Sequence, residues 1–181
     1  MIGACFDLEA IMLKRFLVVL LLFFAGSGMA ETRDEQFFFD QNLGDFKTEL
    51  ATARKAEKTG ILLMYEIDDC PFCHRMKETI LNQPEVQDYF RRHFVIFSID
   101  INGDNALVDF AGKATTEKKF AAEQRVRATP VFAFYDLEGR QMTRFTGTAK
   151  DVNEFMQLGR YVVEGAWKSM PFAKYKQQVV K

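Results

Sequence analysis

Cys70-Pro71-Phe72-Cys73 is the segment of this chain best suited to chemistry. Two thiols three positions apart lie within one helical turn, so they can close to a disulfide and reopen, a two-electron exchange. Their surroundings favour that use. Ile61 to Ile67 is an apolar run of strand length just ahead of them, and Phe72, Met76 and Ile80 recur at helical spacing within and after them. A cysteine placed where a strand ends and a helix begins meets free N–H groups and a partial positive charge, which stabilise a thiolate and lower its pKa. Cys70 is therefore expected as the attacking sulfur and Cys73 as its partner one turn on. Pro71 suits the first helical turn, where its missing N–H is no loss. The bland alternative is a pair of buried thiols or an inert disulfide.

With His74 the segment also spells the attachment signature of c-type haem. Small cytochromes c are mainly helical, whereas this motif follows a buried strand and precedes a hairpin pattern, so haem is not expected. A tetrahedral zinc site would need two ligands beyond the cysteines, and the chain offers only His74 and His93 as imidazoles. No metal is expected. His74 reads as a polar residue of the first helical turn, placed to tune the thiols, and His93 reads as surface.

These residues need a scaffold, and the pattern along the chain supplies one. Phe46, Leu50 and Ala53, closed by Gly60, predict a helix over 45–58. The strand 61–67 and the Cys-x-x-Cys helix follow, Pro84 opens a further helix, and Phe94 to Ile101 forms a second buried strand. Asn102 to Asn105 is a turn, and segment 102–115 reads as a surface loop. A polar helix ends near Val126. Val131 to Tyr135 then starts a hairpin that returns through Glu138-Gly139 to Met142–Phe145. Thr148 and Asp151 are placed as a capping box for a last long helix carrying Val152, Phe155 and Val162, and a short amphipathic helix around Phe172 and Tyr175 packs over it. The expected fold class is α/β: a central mixed sheet, helices on both faces and an antiparallel C-terminal hairpin.

Among 181 residues, 24 Lys and Arg stand against 25 Asp and Glu, and 48% are hydrophobic. A net charge of −1 lacks the basic excess that phosphate neutralisation requires, and the apolar content is too high for a disordered chain, so a nucleic-acid partner is not expected. Lys14 and Arg15 precede the apolar run Phe16–Ala25, and Gly28-Met29-Ala30 leads into Glu31. That is a basic region, an apolar region and a small-residue cleavage site, so residues 1–30 are expected as a signal peptide cleaved after Ala30, with Met12 the better start. The run is too short for stable membrane insertion. Cys5 leaves with that segment, and the mature domain is expected to be 31–181, ending in the extra C-terminal helix around Phe172 and Tyr175. Two cysteines are too few to act as a scaffold, and a core of this size does not need one.

The strand, the Cys-x-x-Cys at a helix start, Val126-Arg127-Ala128-Thr129-Pro130-Val131-Phe132, then Glu138-Gly139 and Phe145-Thr146-Gly147, together resemble the thioredoxin superfamily over nearly all of 45–165. More narrowly, Cys-Pro-Phe-Cys-His and the tail Tyr161 to Trp167 with Phe172 and Tyr175 are similar to periplasmic thioredoxin-related proteins of bacterial sulfur-oxidation (Sox) systems. The resemblance implies that Pro130 is a cis-proline facing a redox-active disulfide, that Thr129 pairs with an extended substrate, and that Gly147 lies at the rim of a substrate groove also bounded by Pro71 and Phe72. It implies a periplasmic thiol:disulfide oxidoreductase that reduces protein disulfides or reactive cysteines as a monomer. The redox-active disulfide is its only cofactor, and a membrane thiol transporter is its electron donor. The opposite direction, as oxidase or isomerase, and a non-catalytic binding module are the alternatives.

Two departures from the family pattern bear on mechanism. Asp69 stands where a tryptophan usually precedes the first cysteine, and Met64 replaces a buried aspartate that moves the second cysteine's proton. Glu66 lies on the same strand face as Met64 and is placed to substitute, although a carboxylate reaching solvent from the strand end is the plainer expectation.

Overall fold

The computed structural model describes residues 31–41 and 44–179. The expected signal peptide lies outside them. Helix α1 (Phe46–Lys55) is capped by Asp45, whose side chain accepts the Thr48 N–H at 2.9 Å, and leads to strand β1 (Gly60–Glu66). A Cβ on Gly60 would stand 2.0 Å from the Tyr135 carbonyl oxygen, so only glycine lets the first residue of β1 approach its neighbour. Next come α2 (Pro71–Met76), which continues as a π-helical turn over Lys77–Leu81, α3 (Pro84–His93) and β2 (Phe94–Asp100). Short strands β3 (Ala106–Val108) and β4 (Ala114–Thr116) precede α4 (Glu117–Glu123), and β5 (Val131–Tyr135), β6 (Gln141–Thr146), α5 (Val152–Val163) and α6 (Phe172–Val179) complete the domain.

The sheet runs β2-β1-β5-β6, with β1 parallel to β2 and antiparallel to β5, and β5 antiparallel to β6. Period-2 alternation divides β1 between two cores. Ile61, Leu63 and Tyr65 pack with Phe46 of α1 and Phe120 of α4 on one face. Leu62 and Met64 pack with Met76, Phe90 and Phe155 of α2, α3 and α5 on the other. Because both faces of β1 and β5 are covered, these strands read as continuous apolar runs, which is why the sequence exposes them so plainly.

Three local expectations are corrected. Segment 102–115 is not a plain loop: β3 and β4 pair antiparallel through Leu107↔Thr115, Leu107 is buried, and Phe110 stacks on Phe46 at 5.0 Å. Three-residue strands are too short to show a strand period in sequence. The cap of α5 is shifted by three residues, since Asp151 accepts the Glu154 N–H at 2.8 Å and Glu154 accepts the Lys150 N–H at 2.6 Å. Thr148 stays in the preceding loop, where the next residue, Ala149, donates its N–H to Met76 Sδ at 3.3 Å. Phe72 does not share the buried face of Met76 and Ile80; Cys73 takes that place.

An N-terminal arm closes the β2 edge. Asp40 N–H donates to the Ile96 carbonyl at 2.7 Å, Ile96 N–H returns to Asp40 Oδ2 at 2.9 Å, and Phe38, from a 3-10 turn over Glu35–Phe38, is wholly buried between Phe90 and Phe155. Arg91 holds the arm by donating to the Phe37 and Phe39 carbonyls and pairing with Asp40 at 2.9 Å.

Candidate active site

Cys70 caps α2 with its own sulfur. The Cys73 N–H lies 3.1 Å from Cys70 Sγ and 3.0 Å from the Cys70 carbonyl, which also accepts the His74 N–H at 3.0 Å. A thiolate here would keep the N–H that now faces the sulfur and gain the positive end of the helix. Pro71 occupies the first helical position. Cys70 and Cys73 are joined in a disulfide with Cα atoms 5.2 Å apart, and both are buried, with 4% and 1% of their surface exposed.

A second segment closes on the same sulfur. Thr129 Oγ1 donates to Cys70 Sγ at 3.3 Å, and the Thr129–Pro130 peptide is cis. Pro130 is buried immediately before β5, and its carbonyl accepts the Gly147 N–H at 2.9 Å. Gly147 has φ +96°, a conformation that favours glycine, and a Cβ there would meet nothing within 4 Å. Cys70, Thr129, Pro130 and Gly147 are thus linked in a chain of contacts from three separate elements. Phe72 stands beside them with 59% of its surface exposed, a large apolar side chain left in solvent next to a buried disulfide.

His74 is exposed, and its Nε2 lies 2.9 Å from the Asp68 carbonyl oxygen. A carbonyl only accepts, so the ring carries a proton on Nε2 and ties the loop before Cys70 to α2. His93 is half-buried against Tyr89, and burial, Arg92 and Lys58 hold its pKa below the usual histidine value. Glu66 does not reach out into solvent. Its carboxylate pairs with Lys77 Nζ at 2.7 Å and accepts the Ser98 hydroxyl, and both ionic side chains are less than one-fifth exposed. Lys77 and Ser98 were not found from the sequence, although Lys77 stands four residues after Cys73, the spacing that puts two side chains on one helix face. Among the described residues, no group of three His, Cys, Asp or Glu is placed to hold a metal ion. The chemistry this arrangement supports is dithiol–disulfide exchange at Cys70 and Cys73.

The chain matches the thioredoxin-like domain family over residues 46–163 and belongs to it. No curated protein matches the chain. Among solved structures it is similar to a thioredoxin-fold protein from Helicobacter pylori, with 17% identity, TM-score 0.61, and 80% of this chain and 95% of that chain covered. It is also similar to DsbH oxidoreductase, with 17% identity, TM-score 0.55, and 77% and 95% covered. A thioredoxin from Thermus thermophilus gives 24% identity, TM-score 0.52, and 66% and 84% covered. At these identities the likeness establishes the thioredoxin-like fold.

Proposed function

We propose that the protein is a periplasmic thiol:disulfide oxidoreductase that reduces protein disulfides. The observation that carries this reading is the convergence of the α2 N-terminus and Thr129 Oγ1 on Cys70 Sγ. In the reduced protein, the Cys70 thiolate attacks a substrate disulfide, forming a mixed disulfide and expelling one substrate thiolate. Cys73 then attacks Cys70, the Cys70–Cys73 bond forms, and the second substrate sulfur leaves. The disulfide is the only redox group required. Pro71 and Phe72 on one side and Thr129, Pro130 and Gly147 on the other receive an extended substrate segment.

The leader pattern of residues 14–30, cleaved after Ala30, supports export of the 31–181 domain. The bacterial periplasm is kept oxidising, so a reductant there must be recharged, and a membrane thiol transporter is the donor in this reading. Resemblance in Cys-Pro-Phe-Cys-His and in the tail supports service to sulfur metabolism, with a reactive cysteine on a sulfur-carrying protein as target.

The test is trapping with a Cys73→Ala variant in the periplasm, together with the reduction potential of the wild-type disulfide. A reductant should accumulate mixed disulfides with a membrane donor and a few acceptors, and its potential should lie nearer ≈ −270 mV than ≈ −120 mV. A potential near the upper figure, no reduction of insulin disulfides, and capture of many newly exported proteins would replace this reading with the oxidase or isomerase. Wild-type function in a Cys70→Ala, Cys73→Ala double variant would replace it with a binding module.

A further inference from the structure

At the end of the sheet opposite to Cys70, the N-terminal arm, α1 and the start of β2 surround a cavity of about 240 Å³. That is far more than the roughly 10–15 Å³ that one water needs. Exposed Gln41, Thr52 and Ala56 form its open side, and buried Glu49, Val95 and Phe97 form its floor. Glu49 has only 7% of its surface exposed. Among the described residues its carboxylate has no hydrogen-bond or ion-pair partner, and the charges that bear on it are the like charges of Asp40 and Asp45. A buried carboxylate without a partner is costly, so its unmet acceptors call for a donor that the protein itself does not supply.

The other charged groups around the cavity are already engaged. Asp40 of the arm takes Arg91 at 2.9 Å on one carboxylate oxygen and the Ile96 N–H at 2.9 Å on the other. Arg91 of α3 also donates to the Phe37 and Phe39 carbonyls, at 3.0 and 3.1 Å. Lys58, between α1 and β1, gives its ammonium to the Arg91 and Arg92 carbonyls at the end of α3. Asp45 caps α1, His93 interacts with Lys58 and Arg92, and β2 contributes only Phe94, Val95 and Phe97. Arg91 therefore answers Asp40 and Lys58 answers a helix end, which leaves Glu49 as the unanswered charge.

We propose that this cavity is a binding site for a small primary alkylammonium ion. Glu49, Thr52 and Ala56 recur at helical spacing on one face of α1 and the residue just past it. The ammonium donates to the Glu49 carboxylate and to Thr52 Oγ1, whose own proton is turned to the Thr48 carbonyl at 3.4 Å, while a short alkyl body lies against Ala56, Val95 and Phe97. A metal ion is a poorer fit, because no group of three His, Cys, Asp or Glu is placed to hold one among the described residues. Asp40 and Gln41 belong to the arm, so bound ligand and docked arm stabilise one another. The site is independent of the exchange reaction at Cys70.

The probe is n-butylammonium chloride, exchanged for sodium chloride at constant total salt in the purified protein at pH 7 and followed through the amide NMR signals of Glu49, Thr52 and Val95. Saturable shifts are expected, with a dissociation constant of about 1–10 mM, a strength open to a ligand with so few non-hydrogen atoms. Glu49→Gln keeps the shape and should weaken binding at least about tenfold. Thr52→Val leaves the buried charge in place and should weaken it about three- to tenfold. Lowering the pH from 7 toward 4.5 should also weaken binding, because a proton competes for the carboxylate while the amine stays charged. n-Butanol, with the same body and no charge, should give no saturable shift. Equal binding by the Glu49→Gln variant or by n-butanol would overturn the inference, as would no saturation up to about 50 mM n-butylammonium. Tighter binding of Nα-acetyl-lysine amide than of n-butylammonium would overturn it in favour of a lysine side chain from a protein partner.

Discussion

Cys70 Sγ receives two N–H or O–H contacts that differ in origin: the Cys73 backbone, which every helix start provides, and Thr129 Oγ1, which depends on one side chain from a distant segment. The second can be removed without touching α2. Thr129→Val preserves the shape and deletes the donor, and a hydrogen bond to a charged group contributes about 1.5–3 kcal/mol, so alkylation of reduced Cys70 by iodoacetamide should slow about tenfold near neutral pH. Thr129→Ser should keep the wild-type rate, and a valine variant as fast as wild type would remove Thr129 from the machinery. The cysteines were legible because their chemistry is local, held within a strand end and one helical turn. Lys77 was not, because its meaning depends on Glu66 and Ser98, 11 and 21 positions away, meeting it across the interior.

At the scale of elements, the arm, α1 and β2 enclose a second ionisable group. Glu49 of α1 is buried and lines a cavity of about 240 Å³ with Asp40, Thr52, Lys58 and Arg91. This cavity lies at the start of β2, the end of the parallel pair opposite to Cys70. Burial first, and then the carboxylates of Asp40 and Asp45, push the Glu49 pKa above its ordinary value of 4.5. An acid with a raised folded-state pKa contributes stability that is fully present below its unfolded pKa and is lost as pH rises through the folded one. At neutral pH Glu49 is therefore a charge that folding pushes against. Glu49→Gln should stabilise the domain at pH 7, on the order of 1 kcal/mol or about 2–4 °C in Tm, and the gain should shrink as pH falls toward 4.5. Thermal melts across that range check it, and a gain that grew toward acid would refute the assignment. Sequence periodicity showed Phe46, Leu50 and Ala53 on one face of α1 but gave no reason to place Glu49 inside, because the group that encloses it comes from the irregular arm. The β3–β4 pair escaped notice for a related reason: its apolar content, chiefly Leu107 and Phe110, is seen as core only against Phe46 and Tyr135.

Across the described residues, two cores share one sheet, and the continuous apolar runs of β1 and β5 with the Glu138-Gly139 turn were enough to predict both the layers and the C-terminal hairpin. The aromatic content does much of the packing. Phe38 is the residue through which the arm joins the core on the Cys-x-x-Cys face, meeting Phe90 at 5.8 Å and Phe155 at 6.2 Å. Phe38→Ala should lower unfolding stability by about 3–5 kcal/mol in a denaturant titration, while the folded protein keeps its rate of Cys70 alkylation. A loss under 1 kcal/mol would mean that the arm is an ornament and not a part of the fold. That arm carries a temporal consequence. Its partners are Asn82, Gln87, Arg91 and Ile96, and the Asp40 to Ile96 bond spans 56 positions. The arm is made before these partners, so during synthesis it stays untied until β2 has been made.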